Sequence, residues 1–208
     1  MYIPSAFNVE GFERLARFID ENSFGIVVTH ADGAPFATHV PLLLDREGGA
    51  PGKLLGHLAR ANPQWRHLEG GSEAMVIFHG AHAYISPRFY TAKVAVPTWN
   101  YLAVHAYGIP RIIEDARFLE QVLERTIAKY EAGSAQPWQN NLPEDYKQAM
   151  LGAIVGFEVG LTRLEGKFKL GQNRSQPDLN GVYAALSQSA SVDDRRMAEI
   201  MKAEHLIG

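Results

Sequence analysis

The feature that most limits the fold is a change of hydrophobic period near residue 24. Before it, residues 8–22 read as a helix. Asn8 is placed to cap it, and Phe12, Leu15, Ala16 and Ile19 fall at the i, i+3, i+4, i+7 spacing of one apolar face. After it, the runs are short, β-branched and separated by turn residues. FGIVVTH (24–30), the turn cluster ADGAP (31–35) with Asp32–Gly33, and FATHVPLLLD (36–45) predict a β-hairpin. REGGAPG (46–52) is a loop and KLLGHLA (53–59) a third strand. EAMVIFHGAHAYISP (73–87) predicts a long strand bent at Gly80, and RFYTAKVAVPT (88–98) a loop. WNYLAVHAYGIPRIIED (99–115) predicts a second long strand, broken or bulged near Gly108–Pro110, because proline belongs at an edge or a bulge. GFEVGLTRLEGKFKL (156–170) is again strand-like.

Helices fill the gaps. Asn62–Pro63 starts a short one through about Leu68, with Asn as cap and Pro in the first turn. Residues 116–131 give the clearest helical repeat, with Asp115 as cap and Leu119, Val122, Leu123, Ile127 and Tyr130 on one side. A loop (132–143) holding Trp138 leads to a short helix at 144–153, and residues 178–188 and 192–205 form terminal helices. Ser191 and Asp194 have capping-box spacing. Five or six strands with short connections and helices outside predict a mainly β chain: a closed or partly closed antiparallel barrel with peripheral helices. We expect a single domain over residues 1–208, with a helical C-terminal segment of about 178–205.

Composition narrows the function classes. With 208 residues, 46% of them hydrophobic, the chain can build a sizeable core. A net charge of −3 gives no support to a phosphate-gripping nucleic-acid surface. The absence of cysteine removes disulfides, iron–sulfur clusters and thiolate nucleophiles. The N-terminal MYIPSAFNVEGFERL lacks a signal-peptide pattern, and no apolar run reaches membrane-span length. The expectation is a cytoplasmic chain with no membrane partner.

Several nucleotide and metal signatures fail. Gly48–Gly52–Lys53–Leu54 has the wrong spacing for a Walker loop, and no GxGxxG occurs. His79 and His82, three apart in a strand, are expected on opposite faces, which is poor ligand geometry, so no metal site is expected.

Three segments carry chemistry, each with a plainer alternative. In GHLARANPQW (56–65), a strand ending at His57, Leu58 and Ala59 runs into Arg60 and a helix beginning at Asn62–Pro63. First-turn amides and a guanidinium suit a phosphate; the alternative is an ordinary junction with a solvated arginine. Lys167, Lys169, Gln172, Asn173 and Arg174 form a basic, amide-rich rim that can match the edge of a planar heterocycle. The alternative is a charged edge strand that blocks aggregation. In VPTWNYLAVHAYG (96–108), Trp99 and Tyr101 share one face and Asn100 takes the other. Trp99 can stack on a planar cofactor or serve as core or interface.

MYIPSAF, GHLARANPQW, AYISPRFY, VPTWNYLAVHAYG and KFKLGQNR, in this order, resemble the PaiB family over roughly residues 1–200. That family is described as FMN-binding negative transcriptional regulators. The resemblance implies an FMN-binding split barrel of the pyridoxamine-phosphate-oxidase type, a homodimer, and FMN at the subunit interface. It implies that GHLARANPQW corresponds to the oxidases' phosphate segment, with Arg60 at a basic position and Ala61 where the oxidases have lysine. It places Thr38, His39 and Val40 along the isoalloxazine ring. Trp99, Asn100, Lys169, Gln172 and Asn173 are expected from the partner subunit. DNA is a partner on the strength of the family alone. A flavin-dependent oxidoreductase, with His39, His57 or His105 as proton-transfer candidates, and a haem-binding relative are the other functions the fold implies.

Overall fold

The computed structural model describes residues 1–113 and 115–207. A 3-10 turn (Ser5–Phe7) precedes α1 (Phe12–Glu21). Then come β1 (Phe24–Ala31), β2 (Ala34–Pro41), β3 (Leu43–Asp45), β4 (Lys53–Ala59), α2 (Gln64–Glu69) and β5 (Ala74–Ile85). A second 3-10 turn (Pro87–Phe89) leads to β6 (Thr98–Ile113), α3 (Ala116–Glu131), α4 (Glu144–Gly152), β7 (Ile154–Lys169), α5 (Gln176–Ser187) and α6 (Val192–Ala203). The seven strands form one sheet in the order β2-β1-β5-β6-β7-β4-β3. β1 pairs antiparallel with β2 and β5, and β4 pairs antiparallel with β3 and β7.

Local chemistry accounts for most element ends. Asp32 and Gly33, at φ +52 and +77, form the two-residue turn of the β1–β2 hairpin. Positive φ at both positions is the type I′ requirement, and it matches the right-handed strand twist. Asp115 caps α3 by accepting from the amides of Arg117 (2.9 Å) and Phe118 (3.1 Å). Ser191 caps α6 through the Asp194 amide.

Four expectations need correction. The sheet has seven strands rather than five or six, because the run 36–45 breaks at Leu42 into β2 and β3. Asn8 does not cap α1, which starts four residues later; Asn8 bridges Lys167, and Gly11 at φ +90 sets the helix entry. β6 runs unbroken through Gly108 and Pro110, with alternate residues buried from Asn100 to Pro110. Gly108 permits this because the β7 backbone approaches closely: an added Cβ would lie 2.3 Å from the Gly160 carbonyl oxygen. His79 and His82 do not face apart. Buried positions in β5 fall at 74, 76 and 78, then at 81, 83 and 85, so the alternation slips by one at His79–Gly80. Both imidazoles therefore reach the exposed side, with ring centroids 5.5 Å apart.

The chain divides into two compact units, each receiving part of β5, β6 and β7. One comprises residues 1–18, 79–104 and 165–208. Its core gathers Phe18 and Phe168, in ring contact at 5.1 Å, with Leu15 against Gly166, where an added Cβ would overlap the leucine. The α5–α6 hairpin adds Val182, Leu186, Met197, Ala198 and Met201. Buried Asp178 accepts from Thr91 N (2.7 Å), Thr91 Oγ1 (2.8 Å) and Ala92 N (3.1 Å), and so fixes the loop after the second 3-10 turn. These bonds, led by the Thr91 hydroxyl, hold its carboxyl below the ordinary range despite burial.

The other unit comprises residues 19–78 and 105–164. Leu42, fully buried, sits over Gly25 of β1 and Gly56 of β4, with Phe78 and Phe157 beside it. Two glycines are required there because a Cβ on Gly56 would lie 2.8 Å from Leu42 Cδ2 and 2.9 Å from Phe157 Cζ. α3 lays Phe118 and Val122 on Leu43 and Leu55. Glu158 is buried; burial raises its pKa, but hydrogen bonds and charge from Arg111 and Lys53 outweigh this and leave it lowered.

Candidate functional site

The turn after β4 is built from the segment 56–65. The β4–β7 ladder pairs His57 with Gly156 and Ala59 with Ile154. Leu58 points into the core, so it can offer a ligand only its backbone. His57, half-buried, is desolvated, which pulls its imidazole below the usual range and leaves it neutral at pH 7. Beyond Ala59 the chain is knitted to the α4–β7 junction. Arg60 N donates to Ala153 O (2.8 Å), Arg60 Nε to Gly152 O (2.9 Å), and Arg60 Nη2 to Ile154 O (3.0 Å). The guanidinium is exposed, and its Nη1 edge keeps no partner among the described residues.

Asn62 ties this turn to β2. Its Nδ2 donates to Thr38 Oγ1 (3.0 Å), and its Oδ1 accepts from Gln64 N (3.0 Å). Thr38 is therefore brought to the Arg60 turn, with exposed His39 and buried Val40 following it along β2. The His39 ring lies 6.3 Å from that of Phe24.

Sequence reasoning missed the hub of this region. Gln64 is fully buried, and its Nε2 donates to Val27 O (2.9 Å), Thr29 Oγ1 (3.1 Å) and Phe36 O (3.2 Å). Thr29 Oγ1 also contacts His67 Nδ1 at 3.1 Å. One amide thus fixes where the turn sits on the β1–β2 hairpin. The only signal in the sequence was a glutamine directly after the helix-starting proline.

The second group lies in the first-described unit. Trp99 is 52% exposed and Asn100 is buried, as alternation requires. The Trp99 ring lies 5.8 Å from His82 at 33° and 6.0 Å from Tyr84 at 71°, which makes an exposed aromatic platform. Lys169 Nζ donates to Trp99 O (2.6 Å) and to Thr98 Oγ1, and so holds the start of β6. Burial, then the charges of Lys167 and Arg174, lower the Lys169 pKa. Gln172 closes the end of β7: its Oε1 accepts from Leu170 N (2.8 Å) and its Nε2 donates to Phe168 O (2.5 Å). Asn173 is exposed beside it.

These residues fit a phosphate-bearing flavin in chemistry. The open guanidinium edge of Arg60 is a directional anion donor, and Lys167, Lys169 and Arg174 crowd positive charge that an anion relieves. The Trp99 platform offers a planar face.

The mostly antiparallel seven-stranded sheet with peripheral helices has the split-barrel fold. The flavocytochrome Anf3 from Azotobacter vinelandii superposes with a TM-score of 0.61 at 16% identity, over 78% of this chain and 69% of that one. The FAD and haem binding protein from Mycobacterium smegmatis gives 0.55 at 18% identity, over 83% and 78%. Residues 1–163 match the family described as "Putative FMN-binding domain". The chain is 38% identical over 204 residues to the protease synthase and sporulation protein PAI 2 of Bacillus subtilis, covering 97% of each. An uncharacterised protein of Emericella nidulans is 30% identical over 247 residues. The chain belongs to the PaiB family of FMN-binding proteins, and its cofactor is FMN. No helix among the described residues is long and apolar enough to cross a membrane.

Proposed function

We propose that this chain is a homodimeric, cytoplasmic FMN-binding regulator that represses transcription, with two composite flavin sites. Arg60 of one subunit holds the FMN phosphate, assisted by the turn through Asn62, and Thr38, His39 and Val40 flank the ring. Trp99, Lys169 and Asn173 come from the partner, while Asn100, buried on the other face of β6, supports the strand from behind. The observation that carries this reading is Arg60: two carbonyls aim its guanidinium while one edge stays open to solvent. The kinship with a protein named for protease synthase and sporulation supports a regulatory role. Bound FMN supplies one- and two-electron redox chemistry; the side chains bind and orient it.

Mixing two variants tests the composite site. Arg60→Ala and Trp99→Ala homodimers each bind FMN weakly. A heterodimer of the two has one site with both changes and one with neither. Refolding them together should restore tight sites in the mixture; no recovery, with mixed dimers demonstrated by mass, rejects the shared site. Binding to the DNA upstream of the chain's own gene is tested by gel shift at physiological salt. No shift at micromolar protein would rule out direct repression.

One observation favours a second reading, a flavin-dependent oxidoreductase. Burial keeps His57 neutral at the end of the strand leading into the Arg60 turn, and the neutral imidazole is the form that accepts a proton. Bleaching of bound FMN by NADH or NADPH, slowed in His57→Gln, supports it; a persistent oxidised spectrum removes it.

A further inference from the structure

The loop from α3 to α4 folds back along α3. Trp138 N donates to Glu131 Oε2 (2.9 Å), and Ser134 N donates to Glu131 O (2.9 Å). Its indole borders two cavities, of about 310 and 340 Å³. The first is walled by Leu123 and Ile127 of α3, Trp138 and Leu142 of the loop, Met150 of α4, and Ile154 at the start of β7. Its lining is overwhelmingly apolar, and its volume lies at the small end of ligand pockets. α4, which covers one side, buries no residue of its own. Met150 remains 46% exposed and Trp138 47%.

The rim carries two carboxylates against one lysine. Glu120 and Glu124 both line the cavity, one helical turn apart, and neither has an ion pair among the described residues. Like charges at that spacing repel. Lys147, also at the rim, is paired with Glu144 at 3.9 Å. A cation placed over Glu120 and Glu124 relieves the repulsion, and an apolar body attached to it fills the hollow.

The inner wall of this cavity is also the anchor of Arg60. Ala153 and Ile154 line it, and the carbonyls of residues 152–154 accept the three bonds that orient Arg60. We infer that the α3–α4 cavity is an effector site for a small molecule with an apolar body and a single cationic head, and that its occupancy changes FMN affinity through Arg60. The second half rests on the assignment of Arg60 to the flavin phosphate.

The test titrates the full-length chain with n-hexylamine and, separately, n-hexanoate, following intrinsic fluorescence. Trp138→Phe identifies the source of the signal. The expected result is a saturable change with hexylamine at least about tenfold tighter than any with hexanoate, which is the discrimination of one favourable charge contact. Met150→Arg, on an exposed helix face, abolishes it, and Glu124→Gln weakens it several-fold. Equal response to both ligands, no saturation, or an unaltered Met150→Arg titration overturns the site. The FMN dissociation constant is then measured with and without saturating hexylamine. It should shift several-fold, with FMN shifting hexylamine affinity by the same factor. Hexylamine binding at Trp138 with an unchanged FMN constant overturns the link. If Arg60→Ala leaves FMN affinity intact, the phosphate assignment fails, while the fluorescence titration still decides the cavity.

Discussion

Replacing Arg60 separates two jobs that one side chain is assigned. Its Nε and Nη2 bind carbonyls of Gly152 and Ile154 at 2.9 and 3.0 Å on an exposed surface. Exposed bonds of this kind contribute about 0.5–1 kcal/mol each, so Arg60→Ala should cost about 1–2 kcal/mol of stability in the flavin-free chain. Its backbone bond to Ala153 survives the change. The phosphate contact is a charge-assisted hydrogen bond, worth about 1.5–3 kcal/mol, or roughly a 10- to 150-fold rise in FMN dissociation constant. Arg60→Lys keeps the charge but loses the planar fork. It should therefore lose as much stability as alanine and less affinity. Urea unfolding of the apo chain reads the first quantity, and quenching of flavin fluorescence on titration reads the second. A stability loss of the expected size with FMN affinity within about twofold of wild type would falsify the phosphate role and leave Arg60 as a tether alone.

Gly56→Ala should destabilise by about 1–3 kcal/mol in urea melts, since its Cβ would meet Leu42 and Phe157 inside a filled core. Shortening Leu42 in the same chain should recover part of that cost; strict additivity would show that the two do not touch. Gly33→Ala forces a side chain into φ +77 and should cost about 1–2 kcal/mol, whereas Asp32→Gly should be close to neutral. Asp178 has a folded pKa below its unfolded one, so its contribution is complete above about pH 4 and is lost as acid protonates it in the folded chain. Asp178→Asn should flatten that acid-side dependence and expose residues 90–97 to limited proteolysis; an unchanged cleavage pattern argues against Asp178 as the loop's anchor.

What could be read from the chain was local. Asp32–Gly33 sets a turn by its own dihedrals, and Asp115 caps α3 with bonds spanning two and three residues. KLLGHLA forms its strand over the predicted residues 53–59. What could not be read depended on distant partners. Gln64 finds acceptors 28 to 37 residues back, and the Arg60 side chain finds its own 92 and 94 residues ahead. The helix beginning at Phe12 rather than at Asn8 follows from the bridge between Asn8 and Lys167. Within the candidate site, Arg60 and Asn62 were legible because strand, basic residue and capping pair are contiguous. The tether of Arg60 and the Thr38–Asn62 bond were not, since neither leaves a mark in spacing.

The one-residue slip in β5 also has a consequence for how this chain tolerates change. Ahead of His79 the even-numbered positions are inward, and after Gly80 the odd-numbered ones are. The two halves of the strand therefore obey opposite parity rules. A plainly alternating strand that kept Gly80 would turn Ala81, Ala83 and Ile85 outward and drive His82 and Tyr84 in, whereas deleting Gly80 would leave both sets on their present faces. A single dispensable-looking glycine thus acts as a phase marker, and substitutions on either side of it must be judged by different alphabets.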